Sequence, residues 1–203
     1  MPSDTHHASF SPDPAVILRQ PLLQRLAGEA AHTAASVATL SEHYTRAQRR
    51  WQPAPKAWSM NGCIEHLVLT DGAYLPRMEE AVRQAPSVAA PSPFQPSWFG
   101  RLFQSMLQPT VRFRLRAPAS IRPTATLQAS PLVLDQFKAQ QDRMLKVLYA
   151  ADAVDLNRVH LVSPLSRFVR LSIGEALWVL IGHQQRHLRQ AERVALHPEF
   201  PAA

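Results

Sequence analysis

The stretch Gly182-His183-Gln184-Gln185-Arg186-His187-Leu188-Arg189-Gln190 carries two histidines four residues apart. An α-helix turns by about 100° per residue, so these two side chains lie one turn apart on the same face. The charged residues of the segment, such as Arg186 and Glu192, fall on the opposite side. The histidine face also carries the apolar residues Ile173, Ala176, Leu180, Ala191 and Val194. The stretch therefore predicts an amphipathic helix that turns a histidine pair toward a core.

Two neighbouring buried imidazoles leave ring nitrogens that need hydrogen-bond partners or another ligand. A metal ion meets that need, because one nitrogen of each ring becomes a metal ligand. Hydrogen bonds to other core groups meet it equally well. The pair alone is therefore compatible with a metal site and with two structural histidines.

A third histidine, His66, lies at the edge of the apolar stripe of another predicted helix. Thr70 and Ala73 share its face, so the ring can reach the interior. Three imidazoles with one open position are typical of a catalytic metal site. Cys63, one turn earlier, is a further candidate ligand, although a small core residue is the favoured interpretation. The sequence has no HExxH motif and no cysteine pair, which excludes zincin and zinc-finger sites.

Apolar residues recur at helical spacing in four segments of the chain. Ser59 and Ser172 are suitable N-caps, and Glu175 follows Ser172 at the spacing of a capping box. The sequence therefore predicts an all-α fold, a four-helix bundle. The predicted helices span residues 22–50, 59–84, 132–149 and 172–197.

The length of 203 residues favours one domain, which we expect over residues 21–197. Residues 1–20 are polar and contain proline, and we expect a flexible arm there. A long proline-rich connection, residues 85–130, separates the second and third predicted helices. Within it we predict a short helix at 98–107 and an extended segment at 111–116.

The composition limits the environment and the partners of the protein. Cys63 is the only cysteine, which excludes an intrachain disulfide and favours a cytoplasmic protein. No apolar run reaches the length of about 18 residues that a membrane span needs, and we expect no membrane partner. The net charge of +7 is better explained by scattered surface arginines than by nucleic-acid binding. A nucleic-acid patch would consist of Arg101, Arg112, Arg114, Arg116 and Arg122.

The stretch Trp58-Ser59-Met60-Asn61-Gly62-Cys63-Ile64-Glu65-His66-Leu67 resembles the segment that opens the second helix in the DinB/YfiT-like superfamily. There a Trp-Ser pair is followed some seven residues later by His-Leu. The stretch 182–190 resembles the H-x3-H motif of the family's final helix, and the resemblance extends over about residues 22–196. It implies a four-helix bundle that holds a divalent metal, zinc or nickel and sometimes iron. The implied ligands are His66, His183 and His187.

The resemblance also implies a range of activities. Family members include thiol-dependent transferases and isomerases, amidase-like enzymes and proteins without an assigned activity. We therefore expect a metal-dependent transferase or hydrolase that acts on a small molecule or a low-molecular-weight thiol. Leu188 and Arg189 stand where ergothioneine-type relatives carry an acidic residue, which argues against oxygen-activating iron chemistry. No general base is identified, since Asp71 and Tyr74 are interpreted as surface residues.

The alternative is a non-catalytic, metal-stabilised bundle that binds a partner or forms a homodimer. Trp178 falls on the polar side of the final predicted helix, where an exposed tryptophan can mark an interface. A contact between Trp178 and the long connection is an equally good interpretation. In the enzyme hypothesis, Trp98, Phe99 and Phe103 of that connection cover the open side of the metal.

Overall fold

Helices account for most of the chain that the structure describes. The computed structural model describes residues 17–107, 117–124 and 132–202. The predicted all-α class agrees with this mostly helical chain, and the predicted segment 111–116 lies outside the described residues. The elements are α1 (Pro21–His43), α2 (Arg46–Arg50), α3 (Met60–Gln84), α4 (Trp98–Leu107), a 3-10 helix (Ala119–Ile121), α5 (Leu132–Ala151), β1 (His160–Val162), β2 (Arg170–Ser172) and α6 (Ile173–Ala195).

The four long helices make the main tertiary contacts. Helix α3 packs against α5 and α6, and α1 packs against the same two helices. Helix α4 lies on α6, and the 3-10 helix lies on α3. Within the described ranges, no helix is both long enough and apolar enough to cross a bilayer. This arrangement brings α3 and α6, which carry the histidines, directly together.

The first predicted helix is broken in the structure, so its prediction as one helix over 22–50 is wrong. Helix α1 ends at His43, and Thr45 caps the separate helix α2. The Thr45 side chain accepts from the backbone N–H of Gln48, and the Gln48 side chain accepts from the N–H of Thr45. This capping box fixes an extended backbone at Thr45, which a continuous helix could not contain.

The predicted caps of the two histidine-bearing helices are confirmed. Ser59 accepts a hydrogen bond from the N–H of Gly62 at 3.0 Å at the start of α3. Ser172 and Glu175 form the reciprocal capping box of α6, with bonds of 3.2 and 2.9 Å. Pro76 lies inside α3 without ending it. Local sequence thus fixes where both helices begin.

The segment between α5 and α6 folds into an antiparallel hairpin of β1 and β2. Leu161 and Leu171 pair across it and are both buried, at 6% and 1% exposure. Each strand has only three residues, so its alternation is too short to be recognised in the sequence. The hairpin leads directly into the cap of α6.

The core consists of apolar clusters with a polar layer between two of them. One cluster is built around Leu26, Leu75 and Leu177, and the other around Leu67 and Phe137. Along each long helix, buried polar residues lie between the members of these two clusters. They are Thr33 of α1, Thr70 and Asp71 of α3, Gln141 of α5, and Gln184 and His187 of α6.

The interpretation of Asp71 and Tyr74 as surface residues is wrong, because both side chains are buried. Asp71 is fully buried and accepts a hydrogen bond from Nε2 of Gln184 at 2.8 Å. Tyr74 is 6% exposed, and its hydroxyl bonds Oγ of Ser163 at 2.6 Å. Both side chains therefore belong to the interior and are engaged there.

The chain is already ordered against the core before α1 begins. Leu18 is buried, and Nε2 of Gln20 donates to the carbonyl of Ala151 at the end of α5. Of the predicted arm 1–20, residues 1–16 lie outside the described residues. The turn into α1 is thus part of the packed structure.

Candidate metal centre

The three histidines singled out in the sequence meet between α3 and α6. One ring nitrogen of each of His66, His183 and His187 lies within 4.8 Å of the others, a grouping that could hold a metal ion. His66 and His187 are buried, at 2% and 8% exposure, while His183 keeps a partly exposed edge. The folded chain therefore brings three imidazoles from two helices together.

The spacing of the His66 and His183 ring nitrogens suits a shared ion. Nε2 of His66 lies 3.1 Å from Nε2 of His183. Zinc–nitrogen bonds of about 2.0–2.1 Å place two nitrogens on one ion roughly 2.9–3.4 Å apart, for octahedral or tetrahedral angles. The three ring centroids lie 4.5 to 4.9 Å from one another. The rings are thus about as close as ligands of one ion are.

His66 is oriented by a backbone carbonyl. Its Nδ1 lies 2.6 Å from the carbonyl oxygen of Ile121, in the 3-10 helix. A carbonyl only accepts, so Nδ1 carries the ring hydrogen and Nε2 presents its lone pair to the other histidines. Such a bond fixes the tautomer of a ligating histidine. The sequence could not indicate this contact, because a backbone carbonyl has no residue signature.

His187 is oriented by a side chain of its own helix. Its Nδ1 lies 3.0 Å from Oε1 of Gln190, three residues later. With the amide oxygen as acceptor, Nδ1 carries the hydrogen and Nε2 of His187 is left with its lone pair. The i, i+3 spacing of His187 and Gln190 was visible in the sequence and could have revealed this pair.

The third ring has no such partner among the described residues. Nδ1 of His183 is buried and makes no hydrogen bond there. Without an ion, the short contact between the Nε2 atoms of His66 and His183 requires a hydrogen on the His183 nitrogen. A bound cation satisfies both nitrogens instead, so this donor set of three neutral imidazoles fits a divalent zinc, nickel or iron ion.

The surroundings keep all three imidazoles neutral. Burial lowers the pKa of His66, against a smaller opposing effect of its bond to Ile121. Burial and the neighbouring histidines, then Arg186, hold the pKa of His183 well below its ordinary value. Burial, followed by the charge of His66, lowers the pKa of His187 to about 3. The neutral ring is the form that binds metal.

Trp58 forms one wall of the histidine cluster. Its ring centroid lies 4.7 Å from that of His66 and 5.5 Å from that of His187. The Trp-Ser pair therefore has two roles, because Ser59 caps α3 and Trp58 packs against two of the histidines. The motif drew attention to Trp58, but the contact itself became visible only in the structure.

The connection between α3 and α5 reaches the cluster through Ile121 rather than through its aromatic residues. Trp98 is 70% exposed and Phe99 is 39% exposed. Phe99 and Phe103 stack on each other with centroids 6.1 Å apart. Trp178 is partly buried against Phe94, which agrees with a contact to the connection. A covering role for the three aromatic residues of α4 has no support in these exposures.

Cys63 does not belong to the histidine group. It is fully buried in an apolar cluster with Met60, Ala191 and Val194. Burial raises the pKa of its thiol to about 12. These surroundings agree with the interpretation of Cys63 as a small core residue.

A cavity of about 390 Å³ lies between α3 and α5. Its lining includes Glu65, Val68, Val133 and Arg143. None of the three histidines contributes to that lining. The cavity therefore does not identify a substrate for the histidine cluster.

Comparison with known proteins agrees with the family suggested by the two motifs. A family model, the DinB superfamily, matches residues 29–191, a range that includes all three histidines. Neither the curated proteins nor the solved structures provide a significant match to this chain. Since the family model covers most of the sequence, the chain belongs to the DinB superfamily.

Proposed function

We propose that this protein is a metal-dependent enzyme built on a four-helix bundle, with His66, His183 and His187 as the ligands of one divalent ion. Zinc or nickel is the favoured ion, and iron is the third candidate. The observation that carries the proposal is the convergence of three neutral imidazoles. Two of them have their outer nitrogens held by Ile121 and Gln190, which leaves the inner nitrogens for a metal.

The chemistry of such a centre follows from its donors. When bound, a divalent ion with three imidazole ligands lowers the pKa of a water or thiol in its open position. The residues of the chain hold the ion, keep the rings neutral and, through Trp58, exclude solvent from one side. The favoured reaction is transfer or hydrolysis involving a small molecule or a low-molecular-weight thiol.

The charge around the site favours an anionic substrate. Arg186 acts electrostatically on both His183 and His187, and Arg193 acts on His187. Such a positive potential attracts thiolates and carboxylates. Asp71 and Tyr74 bond other residues of the interior, so we assign neither as a general base.

A metal-dependent thiol assay tests this function. Apo protein reloaded with zinc or nickel is offered a panel of small thiols with electrophilic or amide substrates. We expect turnover that requires the metal and is lost in His187→Ala, while His160→Ala, at an exposed histidine, keeps it. Metal binding without turnover across the panel contradicts the enzymatic part of the proposal.

A non-catalytic interaction module is the second candidate, and the surface of α4 favours it. Trp98 and Leu102 are 70% and 41% exposed on this helix, while Gly100 and Gln104 are buried. Large apolar side chains on the outer face are typical of a contact surface. A homodimer through α4 predicts a dimer in light scattering that Trp98→Glu converts to a monomer.

The expected environment is the cytoplasm, with neither nucleic acid nor a membrane as a partner. The single buried thiol of Cys63 supports a reducing compartment. Binding assays with DNA and with vesicles at low salt test the two partner classes, since electrostatic binding is strongest there.

A further inference from the structure

The three histidines differ in how their outer ring nitrogens are held. Nδ1 of His66 donates to Ile121, and Nδ1 of His187 donates to Gln190. Nδ1 of His183 is equally buried but has no partner among the described residues. Metal-binding histidines almost always donate their second N–H to an acceptor. If His183 is a ligand, we therefore expect an acceptor beside its Nδ1.

Gln104 of α4 is a buried acceptor beside the residue that precedes His183. Its Nε2 and Oε1 lie 2.6 and 3.1 Å from where a Cβ atom would stand on Gly182, the residue before His183. Gln104 is 8% exposed, and its Oε1 is buried without a hydrogen-bond partner in the described part of the chain. The absence of a side chain at Gly182 lets this amide approach α6 so closely.

Two other side chains with a buried, unpartnered acceptor, each next to a histidine in the sequence, make their hydrogen bonds elsewhere. Glu65 accepts hydrogen bonds from Thr124 and lines the cavity between α3 and α5. The side chain of Gln184 is directed to Asp71 in the polar layer. Gln104 is thus the buried acceptor on the side of α6 where α4 packs.

We infer that Gln104 is a positioning residue for His183, with its Oε1 accepting a hydrogen bond from Nδ1–H of that ring when Nε2 binds a metal. This inference rests on the proposed metal site. Without an ion, Nε2 of His183 carries the hydrogen that points to His66. Nδ1 is then a bare acceptor, to which only the Nε2 side of an amide could donate. A metal ion on Nε2 would leave the ring hydrogen on Nδ1, which would make Nδ1 and Oε1 a matched pair.

This pairing ties α4 to the metal centre. The N-terminus of α4 is already fixed to α6, because Oε1 of Glu175 accepts from the N–H of Ser97 at 2.8 Å. Ser97 in turn accepts from the N–H of Gly100 through its Oγ at 3.0 Å. The bond that His183 would donate to Gln104 would hold the following turn of α4 beside His183. The pairing would therefore add a second point of contact between α4 and α6, next to the metal centre.

The test is zinc affinity, measured by chelator competition on the full chain, for Gln104→Leu, Gln104→Glu and the control Ser97→Ala. We expect Gln104→Leu to bind zinc about 10–100-fold more weakly, the usual effect of losing such a partner. Gln104→Glu keeps an acceptor oxygen and retains the affinity. Ser97→Ala weakens the cap of α4 without touching His183 and retains the affinity as well. Nitrogen-15 NMR of zinc-loaded wild type should show a protonated, slowly exchanging Nδ1 of His183, and Gln104→Leu should lose that protection.

If Gln104→Leu unfolds at a lower urea concentration than wild type, it is replaced by Gln104→Met, whose side chain is closer in shape to glutamine. Unchanged zinc affinity in the variant without an acceptor overturns the inference and leaves the metal site intact. Equal losses in the leucine and glutamate variants overturn it too, since they indicate a packing effect. Wild-type protein that binds no zinc, nickel or iron overturns the proposed function and this inference together.

Discussion

Nε2 of His66 and Nε2 of His183 lie 3.1 Å apart across the interface of α3 and α6, although 117 positions separate the two residues in the sequence. Two imidazole lone pairs repel at this distance unless a hydrogen or a cation stands between them. His66 has its hydrogen on Nδ1, bound to Ile121, so its Nε2 must accept. The space between the two nitrogens must therefore hold either a hydrogen on Nε2 of His183 or a bound cation.

Metal removal should lower the stability of the protein. At a free zinc concentration of 100 times the Kd, binding to the folded state contributes about 2.7 kcal/mol to the free energy of unfolding. We therefore expect the Tm of wild type to fall on chelation and to recover with added zinc. His187→Ala should show no response to either, and a zinc response of that variant equal to wild type would contradict the ligand assignment.

Asp71 should make stability fall as the pH rises. Burial raises its pKa from 3.8 to about 7, against the opposing effect of the bond from Gln184. The folded state then binds more protons than the unfolded state between these two values, so the free energy of unfolding falls as the pH rises from about 4 and levels off above about 7. From pH 5 to pH 8 this costs on the order of 2–3 kcal/mol.

The variant Asp71→Asn isolates this effect, because its amide oxygen can still accept from Gln184. Urea denaturation of the chelated proteins should show the variant gaining stability over wild type as the pH rises from 5 to 8. The histidines contribute equally to the pH dependence of stability in both proteins, so their effect cancels in the comparison. If the free energy of unfolding changed with pH in the same way for both proteins, Asp71 could not have the raised pKa of a buried carboxyl.

Cys63 should be unreactive in the folded protein. Its thiol is fully buried, and burial raises its pKa to about 12, so the thiolate is scarce at pH 8. A thiol reagent should modify it only after unfolding in urea. Cys63→Ala should keep the zinc affinity of wild type, and a large loss of affinity would instead make the sulfur a ligand.

The histidine pair of the final helix was predictable because its geometry is local. The four-residue spacing and the helical projection place His183 and His187 on the core side, and the Ser172–Glu175 capping box marks the helix start. His66 was different. It lies at the edge of the apolar stripe of its helix, and that position allows its side chain to point inward without requiring it. The Trp-Ser to His-Leu resemblance, rather than periodicity, placed it with the other two.

The contacts that orient the rings depend on the path of the chain, so they could not be predicted from the sequence. Ile121 and Gln104 belong to the connection after α3, and periodicity does not specify where that connection crosses the helices. Asp71 was misread because a lone carboxylate in a helix usually faces solvent, and its partner Gln184 lies 113 residues away. The break at Thr45 was hidden because the apolar spacing continues across it.

Metal content is the most direct test of the central claim that the three histidines hold one ion. Wild type and His183→Ala are purified side by side without tags or chelators and analysed by mass spectrometry for zinc, nickel and iron. We predict about one ion per wild-type chain and a near-complete loss in the variant, because one of only three protein ligands is removed. Equal metal content in the two proteins, whether near zero or near one, would contradict the account.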